Sequence, residues 1–317
     1  MTDSNAVRLV RRLGPFLGLA LVLVLFTALE LDRFPTAVNF RTVLTQTVIV
    51  GLGAVGMTFV VVSGGIDLSV GSSIALSTIV IARLLRDGAS PAAAALAGVV
   101  AGGVVGVVNG TLITRLRIAP FIVTLGTLQI VRGTAKYLAG EQKIDAPASW
   151  LAGLMSKSPD PSWLVVAPGV WALILLAAFL ALVLRRSILG VHTYAIGSNE
   201  PTAVLCGIKV DRTKVLIYGL SGLMTGLAGL MQFSRLTVGD PTAATGLELN
   251  IIAAVVIGGA SLSGGVGGIA GSLVGALVMA FLANGCTLVG VPNYAQEILV
   301  GAIIVAVVAL DRSKRGA

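Results

Sequence analysis

The chain holds one histidine, His192, and two cysteines, Cys206 and Cys286, so it has few ways to do covalent chemistry. A serine nucleophile needs a histidine that a carboxylate can orient. His192 reads instead as a loop residue, with no cysteine or carboxylate at metal-ligand spacing, and the two cysteines form neither a metal cluster nor a disulfide framework. Nothing matches G-x-x-x-x-G-K-[ST], and no glycine is directly followed by lysine, so no phosphate-binding loop is present. Paired carboxylates for acid/base work are missing from the apolar runs. What remains is ionisable residues in or beside those runs: Asp67, Arg83, Arg132, Lys136 and Glu297. Charge in hydrocarbon is costly and tends to be kept for function. Arg83 and Lys136, however, lie near run ends, where long stems carry the charge to water. That is a thin set for a proton relay, and no catalytic role emerges.

The elements that must position these residues are apolar. The 317 residues are 56% hydrophobic and 11% charged, with 40 glycines, and the mean hydropathy is +0.98. A soluble globule of this length exposes far more charge. About 20 apolar residues cross a bilayer as a helix, because unpaired backbone groups cannot be left in hydrocarbon. Such runs centre within 14–30, 43–62, 69–85, 92–113, 119–138, 165–184, 215–234, 249–260, 268–288 and 295–310. The reading is an all-α polytopic membrane protein of about ten transmembrane helices, one domain over 1–317. Few aromatics and no alternating ten-residue segments argue against an outer-membrane barrel. Arg8, Arg11 and Arg12 precede the first run; no small-x-small cleavage site follows, so it reads as an uncleaved span.

The net charge of +8 is explained by basic residues on cytoplasmic loops rather than by nucleic acid. Arg115 and Arg117, Arg185 and Arg186, and the "DRSKR" of 311–315 flank spans on one side. The loop 139–164 sets Glu141, Asp145 and Asp160 against Lys143 and Lys157, and contains Pro147, Pro159 and Pro161. Both termini are therefore expected in the cytoplasm.

Glycines in the runs let helices approach closely where lipid supplies no hydrophobic drive. Gly267, Gly271 and Gly275 recur every four residues, which reads as one helix face packed within the chain ahead of a subunit interface. An internal echo links "GGIDLSVG" (64–71) with "GGASLSGG" (258–265), and Asn109-Gly110 with Asn284-Gly285. With both loops at the end of inward-going spans, a parallel duplication fits better than an inverted one.

One polar island interrupts the pattern. Tyr194–Lys214 carries Glu200, Lys209, Asp211, Arg212 and Lys214. Ser198 or Asn199 can cap a helix, Glu200 suits its positive end, Pro201 is tolerated in the first turn, and Gly207 stops it. The prediction is a helix of about eight residues outside the bilayer, with Ala203, Val204 and Leu205 as an apolar strip. It either tucks against its own spans or receives a partner.

Four blocks decide between these: "GMTFVVVSGGIDLSVGS" (56–72), "LGTLQIVRG" (125–133), "AIGSNEPTAVLCGIKVDRTKV" (195–215) and "AVVIGGASLSGGVGGIAGSLVGALV" (254–278). Over essentially its whole length the chain resembles the permease subunits of ribose-type sugar ABC importers. Pro201 and Thr202 stand where relatives often carry more helix-friendly residues. The resemblance implies an ABC importer permease fold in the bacterial cytoplasmic (inner) membrane and a second permease subunit, forming a homo- or heterodimer. It also implies a cytoplasmic ATPase carrying ATP and Mg, and an extracytoplasmic sugar-binding protein. The segment at about 185–214 then resembles the part that docks into the ATPase, with Gly197, Ser198, Asn199, Glu200, Ala203, Gly207 and Ile208 as its motif. A stand-alone ion-coupled carrier, or a scaffold or receptor subunit, are the other readings.

For the solute route, polar residues in or beside the spans are the candidates: Asp67, Ser69, Asn109, Gln129, Ser261, Ser263 and Asn284. Each has a structural alternative, in capping a broken helix or bridging two helices at about 0.6 kcal/mol. Asp67 fits the cap of "LSVGS" better than a sugar ligand.

Overall fold

The computed structural model describes residues 5–156 and 164–313. Lys157, Pro159, Asp160, Pro161, Lys314 and Arg315 lie outside the described residues. The described residues are mostly helical: α1 (Asn5–Leu29), α2 (Ala37–Val62), α3 (Val70–Arg86), α4 (Pro91–Leu116), α5 (Pro120–Ala139), α6 (Pro168–Arg186), α7 (Ile188–Ser198), α8 (Glu200–Leu205), α9 (Val210–Leu236), α10 (Leu247–Ile257), α11 (Ile269–Val289) and α12 (Asn293–Ser313). Each apolar run read from the sequence falls on one of these helices. By length and composition α2, α4, α6, α9 and α11 can each cross a bilayer, and α1, α10 and α12 contain shorter apolar stretches.

α2 is the central rod. From Ile49 to its end at Val62 it is almost entirely buried by α6, α9, α10 and α11, as expected of a helix segment with no solvent or lipid face. Its glycines make that possible: a Cβ at Gly56 would sit 2.9 Å from the Ser221 Cα of α9. A polar contact reinforces the apolar packing where the Thr58 hydroxyl lies 2.7 Å from the Ser272 hydroxyl of α11.

The most extensively packed helix pair is α4 with α9, and both supply small residues at four-residue spacing. A Cβ at Gly102 would lie 2.6 Å from the Gly222 carbonyl oxygen and 2.7 Å from the Gly226 Cα. One at Gly106 would overlap the Tyr218 carbonyl. Gly271 and Gly275 of α11 pack in the same way against Gly258 and Ala254 of α10, within the chain. Gly267 does not share that face: α11 starts only at Ile269, and Gly267 lies in the preceding loop with φ +152°.

One end of the bundle is tied by a short antiparallel ribbon, β1 (Ile144–Asp145) with β2 (Val238–Gly239), pairing Ile144 with Gly239. Lys143 Nζ lies 3.3 Å from Asp240 Oδ2 beside it. Burial pushes the Asp240 carboxyl up, but the Thr242 hydroxyl and amide and the Lys143 ammonium outweigh this and hold it below the usual range. Arg132 donates from Nη1 to the Pro241 carbonyl at 2.9 Å and the Ala243 carbonyl at 2.8 Å. Arg83 donates to the Leu138 carbonyl at 3.2 Å. Two of the cations weighed for an ion relay are thus bound to carbonyls, Arg132 on the 241–243 loop and Arg83 on the end of α5.

Gly106→Val should cost more than the ~1–3 kcal/mol of ordinary overpacking, because the obstacle is backbone. Gly126 meets nothing within 4 Å, and Gly126→Ala should leave stability unchanged or slightly raised. Thermal unfolding of both variants in detergent checks the contrast.

Candidate functional site

The island folds as two helices rather than one. α7 was not foreseen, and it takes His192 out of the loop expected for it and into a helix. Ser187 caps α7 by accepting from the Gly190 amide at 3.2 Å. α8 is six residues long and begins as the sequence suggests. The Asn199 side chain accepts from the Thr202 amide at 2.9 Å, Glu200 occupies the first turn, and Pro201 needs no amide partner there. Gly207 follows with φ +82°, a conformation that costs a side-chain-bearing residue energy.

The apolar strip splits between two environments. Ala203 is buried and packs with Ile196 and Val210, with Ala195 and Ile208 partly buried beside them. Val204 is 56% exposed and Leu205 88% exposed. A short helix therefore presents an aliphatic tip outward from a polar shoulder. Lys214 Nζ lies 2.8 Å from both Glu200 carboxylate oxygens and pins the start of α8 to the N-terminal part of α9. This pair was not legible from spacing, since residues 14 apart share no helix face.

Behind the tip lies a junction made almost wholly of backbone. A Cβ at Gly197 would overlap the Val62 carbonyl at the end of α2 and lie 2.6 Å from the Gly265 amide nitrogen. The Gly265 amide donates to that same Val62 carbonyl at 2.8 Å. A Cβ at Gly264 would lie 2.6 Å from the Gly197 carbonyl oxygen and 3.0 Å from the Gly64 Cα. Three glycine-bearing segments, 63–69, 197–198 and 258–268, thus touch at van der Waals distance. The Tyr194 hydroxyl donates to the Gly267 carbonyl at 2.7 Å. Burial pushes the Tyr194 phenol up against the pull of Arg185, so it stays a donor. A cleft of about 280 Å³, bordered by Gly65, Lys214, Tyr218 and Pro120, separates this junction from the α4–α5 linker.

The two echoed loops lie at the same end of the bundle and in mutual contact. Asp67 Oδ1 accepts from the Ser69 amide at 2.9 Å, and Ser261 Oγ accepts from the Ser263 amide at 3.4 Å, the same turn at matching positions. The left-handed glycine that ends the preceding helix is Gly64 in one copy and Gly259 in the other, one position out of register, and the second copy adds left-handed Gly264 and Gly265. The second echo does not match in space. Asn109 meets the first loop, donating to Ser69 Oγ at 2.8 Å, whereas Gly285, next to Asn284, packs on the Phe26 ring of α1.

The residues read as a solute route therefore scatter. Asp67, Ser69 and Asn109 form one buried hydrogen-bonded knot, in which Asp67 Oδ1 also accepts from the Ser69 hydroxyl at 2.6 Å. Ser261 is buried in the second loop, while Ser263 is exposed beside the junction. Gln129 is exposed on α5, and Asn284 is buried in α11.

Residues 39–308 match the family described as "Branched-chain amino acid transport system / permease component". The chain belongs to this permease family. It is 41% identical to the ribose import permease of Bacillus subtilis (strain 168) over 306 residues, covering 96% of this chain and 94% of that protein. It is 37% identical to the ribose import permease of Escherichia coli (strain K12), covering 93% and 92% of the two chains. The L-arabinose ABC transporter permease of Azospirillum brasilense is also 37% identical, with 94% and 88% covered. No solved structure matches the chain. The helical bundle is accordingly a multi-pass membrane permease of the sugar-importer type.

Gly197→Ala should destabilise the permease more than Gly207→Ala. The first places a methyl on backbone, while the second meets open space and carries only the ~1–2 kcal/mol of a left-handed backbone. The two melting temperatures, compared in one detergent, check this.

Proposed function

We propose that this permease carries a ribose-like neutral monosaccharide across a bacterial cytoplasmic membrane, powered by an ATPase that docks on α7–α8. The observation that carries the reading is the exposed Val204–Leu205 tip. It stands on a capped helix whose base is fused to two loops between membrane helices. Apolar side chains this exposed, at the centre of a polar shoulder, suit the core of a protein interface, where a few buried anchors carry most of the binding energy.

The reading has ten crossings, α1–α6 and α9–α12, with α7–α8 between the sixth and seventh. Alternation then puts both termini on the α7–α8 side. Arg115, Arg117, Arg185, Arg186, Lys209 and Arg212 flank the spans on that side, in keeping with a cytoplasmic face. ATP and Mg belong to the ATPase, which does the hydrolysis; this chain contributes no catalytic group. A binding protein delivers the sugar to the opposite face, and a second permease subunit, identical or related, completes the conduit. Gly197, Ser198, Asn199, Glu200, Ala203, Gly207 and Ile208 shape the docking segment. Within it Asn199 and Glu200 hold the helix start, Ala203 and Ile208 anchor it inward, and Leu205 reaches the partner. Asp67, Ser69 and Asn109 serve this reading as a structural knot beneath the docking segment.

Leu205→Asp should leave thermal stability within about 0.5 kcal/mol of the parent, since the side chain is exposed. It should weaken association with the ATPase at least about 30-fold and abolish sugar uptake into proteoliposomes. Unchanged uptake by Leu205→Asp would contradict the docking assignment. Sugar accumulation by the permease alone, under a proton gradient, would replace the reading with an ion-coupled carrier.

A further inference from the structure

Towards the end of the bundle opposite α7–α8, a cavity of about 270 Å³ opens between α2, α9, α10, α11 and α12. It is just below the size range typical of drug-sized ligand sites, so it is matched to a small solute. Three amides and one guanidinium line it: Gln46 on α2, Gln232 and Arg235 on α9, and Asn250 on α10. Ile49 and Met279 supply apolar wall.

Most polar side chains within the bundle are spent on the protein. Serine and threonine hydroxyls reach carbonyls of their own helices, as Thr47 does to Val43 and Thr225 to Ser221. Asn109 Oδ1, Ser221 Oγ and Asn284 Oδ1 lack a partner but are sealed within the bundle, whereas the four cavity residues open onto one space. Among the described residues, neither their amides nor the Arg235 guanidinium makes a side-chain hydrogen bond or ion pair within the chain. Gln232 is only 7% exposed as a residue, yet its unpaired amide is not sealed within the bundle but opens onto the cavity; Gln46 and Asn250 are half-buried and Arg235 is exposed. A membrane protein that keeps such groups free in a cavity has a use for them.

We infer that Gln46, Gln232, Arg235 and Asn250 form a transit site for a neutral, hydroxyl-rich solute. An amide offers both donors and an acceptor, which is the requirement for a hydroxyl that both gives and takes a hydrogen bond. Arg235 adds a fork of donors suited to adjacent hydroxyls. No carboxylate lines the cavity to attract a cation, and three neutral amides to one cation favour a polyol over an anion. The apolar wall suits the C–H face of a sugar ring. The site rests on the import reading above and names where the sugar pauses. None of these four residues belongs to a sequence motif in the chain; only the fold assembles positions 46, 232, 235 and 250.

The test uses the permease reconstituted with its ATPase and binding protein in liposomes. Gln232→Leu and Asn250→Leu should each cut initial uptake of the transported monosaccharide about ten-fold or more, the effect of one or two lost hydrogen bonds. ATP hydrolysis stimulated by the loaded binding protein should persist in both variants, because the docking segment is untouched. Uptake within two-fold of the parent would overturn the site. If the parent complex moves no monosaccharide at all, the import reading fails instead, and the two failures are distinguishable. Should the leucine variants misfold, thiol labelling of Ala283→Cys, in a background lacking Cys206 and Cys286, provides a second measurement. The transported sugar should slow labelling; no protection, or protection only by an anionic sugar acid, would overturn the inference.

Discussion

The Val62 carbonyl accepts the Gly265 amide and leaves no room for a side chain at position 197, and much of the molecule follows from that crowded point. Backbone contacts of this kind are stiff, because they have no rotamers to relax into. The end of α2, the base of α7–α8 and the loop between α10 and α11 are consequently held as one piece. α2 is the rod that the other helices bury, so a displacement of the exposed α8 tip reaches the centre of the bundle without a flexible intermediary. The Glu200–Lys214 pair and the Asn199 cap fix the angle of the tip, and the inward-facing Ala203 keeps it seated.

Elsewhere the same constraint recurs with different partners. Helices in lipid gain little from hydrophobic association, so close contact depends on small residues and on polar groups that find partners. The α4–α9 pair uses Gly102, Gly106, Gly222 and Gly226 for the first purpose. Thr58 with Ser272, and Asn109 with Ser69 and Asp67, serve the second. At the far end Arg132 is bound to the Pro241 and Ala243 carbonyls, Arg83 to the Leu138 carbonyl of α5, and Lys143 to Asp240, which ties these segments together.

Much of this was legible in the sequence, for physical reasons that can be named. Hydrophobic run length identified each long helix, since a bilayer fixes the length an apolar segment must have. Asn199, Pro201 and Gly207 bounded α8 correctly because caps act locally. α7 was missed because Ile188–Ser198, with three glycine or serine positions and His192, has neither a charged face nor a long apolar one. The Gly267 register failed because a loop glycine happened to continue a helical spacing. Contacts between distant residues were beyond reach: nothing in the order of residues pairs Glu200 with Lys214, or gathers Gln46, Gln232 and Asn250 around one cavity. The echo of 64–71 in 258–265 did foretell that the two loops form like turns, though not that Gly197 would lie between them.

The fused junction is most directly tested by pulsed electron spin resonance on the assembled importer, with labels at the exposed Thr202 and Ser263 and both native cysteines replaced. The Thr202–Ser263 separation should be the same without nucleotide, with ATP trapped and after hydrolysis, while sugar uptake shows that the complex is turning over. A nucleotide-dependent change larger than the ~1–2 Å of ordinary helix adjustment would mean that α8 moves apart from the loops, and the account would be wrong.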